Sequence, residues 1–145
     1  MKIKRYEKKD YKIIEKWVNQ IDWEPLDERL IPPTAFIAYN DKDVPVAFGS
    51  CYLGEGCSFS RLGPFLAEQE APKKLIMKSF LMLFDKIKNE VVESGRDVIY
   101  YATTNKFMLK CAEMSGMVQA EREATAMVMS INGKVDVEFF EAYEE

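Results

Sequence analysis

The chain has 145 residues, 48% hydrophobic and 30% charged, with a net charge of -4 and a pI of about 5.1. That composition suits one ordinary globular domain over residues 1–145, long enough to bury a substantial core. The acidic balance argues against a nucleic-acid partner, and no apolar run approaches the roughly 18–20 residues of a bilayer span.

The charged start Met1-Lys2-Ile3-Lys4-Arg5-Tyr6 is unlike a secretory signal, so a cytoplasmic location is expected. The absence of histidine removes imidazole triads and His-based zinc sites. Cys51, Cys57 and Cys111 have neither metal nor redox spacing and read as reduced, mostly packed thiols, so no metal is expected. Proton transfer falls to carboxylates, tyrosines, lysines, thiols or water.

Lys2 to Tyr6 alternates polar and apolar, as a half-exposed strand does. Asp10 is a candidate cap for a helix over Tyr11 to Ile21, whose apolar face is Tyr11, Ile14, Trp17, Val18 and Ile21. Prolines argue against a long helix between Asp22 and Pro33, though Leu26 to Leu30 can form one turn. Thr34–Tyr39 and Val44–Leu53 read as strands joined by the polar turn Asn40-Asp41-Lys42-Asp43, and Cys57–Leu66 as a fourth strand after Gly54-Glu55-Gly56.

From Leu75 to Val92, Ile76, Phe80, Leu83, Phe84, Ile87 and Val91 recur at steps of three and four, which predicts a long buried helix ending at Ser94-Gly95. Val98 to Thr103 is β-branched and aromatic, a fifth strand. Strand, helix and strand make a βαβ unit with two parallel neighbours, and ligands bind such units where strands end and helices begin. Thr104-Asn105 is expected to cap a short helix that runs to Ser115 and stops at Gly116. Two strand-like stretches follow in Val118–Ile131, of which Ala124–Ile131 is the clearer, then the turn Asn132-Gly133 and an acidic tail with Phe139 and Phe140.

This order of elements resembles the GNAT superfamily of acyl-CoA dependent N-acetyltransferases over nearly the whole chain. Asn105, Glu113, Gly116 and Met117 stand at the spacing of that family's segment after the fifth strand. The resemblance implies an α/β (α+β) fold: a mixed sheet of about six to seven strands, antiparallel in its first half, with splayed parallel fourth and fifth strands and helices on both faces. It also implies acetyl-CoA as co-substrate, bound through the backbone of Phe65, Leu66 and Ala67 and the loop Glu68 to Lys74. Gln69, Lys73 and Lys74 are its phosphate contacts, and Asn105 is a cap that can also touch the cofactor.

Two features depart from the family pattern. Pro72 and Lys74 occupy positions where small residues usually bare the loop amides. Ala112 stands where many members carry a tyrosine that protonates the leaving thiolate, which leaves Tyr101 and Cys111 as substitutes. The fourth strand, where members often hold a glutamate base, has no acidic residue from Cys57 to Leu66; Glu68 is a candidate base in the next loop, where Glu68 and Glu70 also read as plain surface charges.

The acceptor implied is a primary amine of a small molecule or peptide. Glu24, Asp27 and Glu28 could attract it with Trp23 packing on its aliphatic part, against the alternative of a solvated acidic turn around one buried indole. Two other functions stay open: a GNAT-fold binding or assembly module without catalysis, and an unrelated α/β ligand-binding domain. The aromatic and methionine content is compatible with a homodimer.

Overall fold

A computed structural model of the chain describes residues 1–120 and Met127. A five-stranded sheet has the order β1 (Lys2–Arg5), β2 (Thr34–Tyr39), β3 (Pro45–Leu53), β4 (Phe59–Ala67), β5 (Val98–Tyr100). The first three pairings are antiparallel and β4 with β5 is parallel. Helix α1 (Tyr11–Gln20) covers one face; α2 (Lys73–Glu93) and α3 (Lys106–Met114) cover the other. The clearer of the two late strands, Ala124–Ile131, together with the Asn132-Gly133 turn and the acidic tail, lies outside the described residues apart from Met127. Among the described residues no helix is long and apolar enough to cross a membrane.

The sheet separates two cores, each built from the face its helix periodicity predicts. On one side Ile14, Trp17 and Val18 of α1 meet Leu26, Ala35, Ile37, Phe48 and Leu66. On the other, Phe80, Leu83, Phe84, Ile87 and Val91 of α2 meet Phe36, Ala38, Ala47, Cys51 and Leu62, with Met108, Cys111 and Ala112 from α3. Each fully buried large side chain contributes roughly 1.5–3 kcal/mol, so both helices are held by packing rather than propensity.

Local chemistry sets the boundaries. The Asn40 amide oxygen accepts from Lys42 N–H (2.9 Å) and Val44 N–H (3.0 Å), closing the β2–β3 turn. Gly95, at φ +80°, ends α2 in the left-handed conformation that only glycine adopts freely. Asp10 does not cap α1. A 3-10 turn, Lys8–Asp10, runs straight into the helix, so Asp10 is itself helical and its carboxylate accepts instead from Glu7 N–H at 2.8 Å. Helix α2 begins two residues before the predicted Leu75, at Lys73, with Pro72 at its cap where no N–H is needed.

β4 carries a bulge. Cys51 pairs with Leu62 and Gly49 with Phe65, so Gly63 and Pro64 together oppose Ser50. A glycine and a proline suit that position, since the extra residue loosens the ladder and proline has no N–H to give it. The bulge reverses the strand's faces and turns Phe65 toward α2, where it stacks on Phe84 (4.8 Å between centroids, 20° between planes) and meets Phe80 edge-on at 5.7 Å. Gly49 makes room for that ring: a Cβ there would lie 2.7 Å from it. Gly49→Ala is therefore expected to destabilise the fold by about 1–3 kcal/mol through overpacking, read as a lower urea midpoint.

Candidate active site

β5 pairs with β4 only through Phe59–Val98, Ser60–Ile99 and Arg61–Tyr100. Beyond that last pair β4 runs on to Ala67, paired with β3 on one edge and with no strand on its β5 edge among the described residues. The predicted fifth strand, Val98 to Thr103, therefore stops at Tyr100. Its β-branched composition encodes extended backbone but not a ladder partner.

The phase of the β3 ladder decides which groups line this opening. Glu68 N–H donates to Val46 O at 2.8 Å, and Phe48 pairs with Leu66 on the same phase. The Leu66 backbone is thus spent on β3, contrary to the expectation that it faces a ligand, while the backbone groups of Phe65 and Ala67 turn to the open edge. Gln69 Nε2 reaches the Ala67 carbonyl at 3.3 Å.

Tyr101 follows directly on β5, with its ring 6.0 Å from Phe65 and 6.2 Å from Phe84. Burial pushes its hydroxyl up to about 12 despite the Thr103 hydroxyl beside it, so it keeps its proton at neutral pH. Cys111, on the inner face of α3, is fully buried and burial raises its thiol as well. It packs in the core on the α2 side of the sheet, whereas Tyr101 is only partly buried and lies beside Phe65. Ala112 is likewise buried.

The loop between β4 and α2 is organised by Glu68. Its carboxylate accepts from Trp17 Nε1 (3.0 Å), Gln20 Nε2 (2.7 Å) and Lys16 Nζ (3.0 Å). Burial alone would raise its pKa, but these donors, with Glu70 N–H, outweigh that and hold the carboxyl at about 2. A group so weakly basic, with its lone pairs turned to α1, is a clasp between helix and loop rather than a proton acceptor. Gln20 takes Gln69 N–H at 3.1 Å, and Ala71 N–H bonds Glu68 O at 3.1 Å. With Pro72 contributing no N–H, the loop amides left for an anion are those of Lys73 and Lys74, at the positive end of a 21-residue helix. Both lysine side chains are exposed.

Asn105 caps α3, its side-chain oxygen accepting from Phe107 N–H (2.9 Å) and Met108 N–H (3.1 Å). Asn105→Ala is expected to cost about 1 kcal/mol, seen as a lower thermal midpoint.

The early acidic segment is only partly available. Asp27 caps a 3-10 turn, Glu28–Leu30, and pairs with Arg29 through two side-chain bonds of 2.7 and 3.1 Å, which hold its carboxyl below the usual range. Trp23 is half-buried against the α1 core, Glu24 is exposed, and Glu28 lies near the Tyr6 and Tyr11 hydroxyls. Tyr52 donates its hydroxyl to Leu30 O and so ties this segment to β3. Sequence reasoning missed the Lys16–Trp17–Gln20 clasp, though its residues share one helix face. It also missed Arg61 at the apex of the opening, which only strand register reveals.

No family model matches the sequence, and no curated protein matches it. Solved structures do. A protein from Thermus thermophilus is 10% identical, with a TM-score of 0.66 over 90% of this chain and 98% of that one. A probable acetyltransferase is 14% identical, with a TM-score of 0.66 over 90% and 99%. AAC(6')-Iy in complex with the bisubstrate analog CoA-S-monomethyl-acetylneamine is 16% identical, with a TM-score of 0.65 over 89% and 98%. With its antiparallel first half, parting parallel strands and helices on both faces, this chain has the fold of the GNAT acetyltransferases.

Proposed function

We propose that the chain is an acyl-CoA dependent N-acyltransferase, with acetyl-CoA as the expected donor and a primary amine of a small molecule or peptide as acceptor. The observation that carries this is the parting of β4 from β5 after Arg61–Tyr100, which leaves the Phe65 backbone and the Ala67 N–H without a strand partner on that edge among the described residues, a few residues before α2 begins. Such an edge suits an amide-bearing arm laid alongside as a strand would be, and the helix terminus suits its phosphates.

Acetyl-CoA, when bound, supplies the activated acyl group. The chain's part is then to align, to neutralise and to hold a proton. Phe65 and Ala67 align the arm; Lys73 and Lys74 meet the phosphate charge with amides and ammonium groups. Tyr101, protonated and set against Phe65, holds the proton that a departing thiolate takes up. The amine nitrogen forms the new bond to the acyl carbon as the carbon–sulfur bond breaks, the thiolate takes the Tyr101 proton, and the nitrogen's proton passes through water to restore the Tyr101 hydroxyl. Holding amine and thioester together supplies much of the rate by itself.

A second reading, a binding module without transfer, draws on the loop amides already taken by Glu68 and Gln20 and on the buried Ala112. Calorimetric titration with CoA and acetyl-CoA separates the two. Saturable binding in the micromolar range is expected; no heat at millimolar ligand would leave the module.

A further inference from the structure

We propose that Arg61 selects the acceptor, and that the acceptor is an amine bearing a carboxylate on an aromatic or apolar body. This rests on the acyltransferase reading above and names the substrate class of that site.

Arg61 belongs to the last paired couple before the strands part, so it stands at the apex of the opening. Register puts Tyr52, Arg61 and Tyr100 in one row across β3, β4 and β5, with Phe59 and Val98 one step behind on the same face. The residues of opposite phase, Cys51, Leu62 and Ile99, pack in the α2 core, so this row lies on the α1 side of the sheet. The Tyr52 hydroxyl bonds to Leu30 O, in the segment that packs with α1.

Helix α1 does not cover this row. Tyr52 is 39% exposed, Phe59 46% and Val98 48%, and Arg61 is exposed as well. The Phe59 and Tyr100 rings lie 6.0 Å apart and form an aromatic floor. Among the described residues Arg61 has no carboxylate partner within salt-bridge distance, whereas Arg29 is paired with Asp27 and Arg5 with Glu90. A guanidinium without a carboxylate partner among the described residues, beside an aromatic surface, complements a planar carboxylate attached to a ring or apolar chain. It repels a plain polyamine, and the Asp27 carboxylate that would attract one is already neutralised by Arg29. A carboxylate anchored at Arg61 keeps the acceptor next to the point where the strands separate.

The test titrates the full chain with para-(aminomethyl)benzoate and para-methylbenzylamine, which share ring and amine and differ in the carboxylate, by ligand-observed NMR. The benzoate is expected to bind about tenfold more tightly, the scale of a charge-assisted bidentate pair at a partly exposed site. Arg61→Gln should bring the ratio to within about twofold and Arg61→Lys should keep part of it, since lysine retains charge without the planar fork. Acetyl-CoA affinity and thermal midpoint should not change in Arg61→Gln. Equal affinity of the two amines, no binding of either, or a ratio that survives Arg61→Gln would overturn the proposal. A ratio lost in Arg61→Gln from a protein that binds no acetyl-CoA would support the Arg61 site and remove the acyltransferase reading.

Discussion

Exchanging Lys73 and Lys74 together for glutamate is expected to weaken CoA binding by about 50-fold, from the loss of two charge-assisted contacts partly screened by solvent. The effect is large because the loop has so little else to offer. Gln69 and Ala71 N–H are bonded at 3.1 Å and Glu70 N–H is turned to the Glu68 carboxylate, while Pro72 has none. Of the amides from Gln69 to Lys74, those of Lys73 and Lys74 in the first turn of α2 are the ones with unspent donors among the described residues. Unfolding does not confound the result, because acidic side chains in the first turn of a helix are favoured by its dipole. Calorimetry of the double variant with CoA gives the number. An affinity equal to that of the parent would show that the anion does not sit at the α2 terminus.

Glu68→Gln is expected to lower stability by about 2 kcal/mol at neutral pH, because an amide group would then point its own N–H donors at Trp17, Gln20 or Lys16. The effect depends on pH. The Glu68 carboxyl is lowered from 4.5 in its ordinary state to about 2 in the fold. A carboxyl depressed on folding contributes its full stabilisation above the unfolded value and loses it as pH falls toward the folded one. The difference between parent and variant should therefore be complete above about pH 5 and shrink steadily toward pH 2. Urea midpoints of both proteins across that range test it. A gap that stays constant with pH would mean that packing, and not the charge, holds the loop to α1.

The same residue illustrates what a sequence conceals. Glu68 sits in a polar loop next to Gln69 and Glu70, and nothing local distinguishes a catalytic base from a surface charge. Its three side-chain donors come from positions 48 to 52 residues earlier, on a helix across the sheet. Cys111 is the converse case. Its place in the α3 pattern put it near the opening, and packing buries it completely.

Element order and both helix faces were legible in the chain before any contact was known. So were the Asn40 turn, the ends of α2 and α3 at glycines, and the pairing of a long helix with a following strand. These follow from periodicity, turn chemistry and capping, which act over a few residues and are written in each segment. Long-range packing settled where β5 leaves β4, that Phe65 and Ala67 rather than Leu66 face the opening, and that a bulge at Gly63-Pro64 turns Phe65 inward. It also settled that Arg61 stands unpaired at the apex among the described residues, and that the loop amides are already bonded. Each depends on register between segments far apart in sequence, and a one-residue change in pairing reverses which side every group faces.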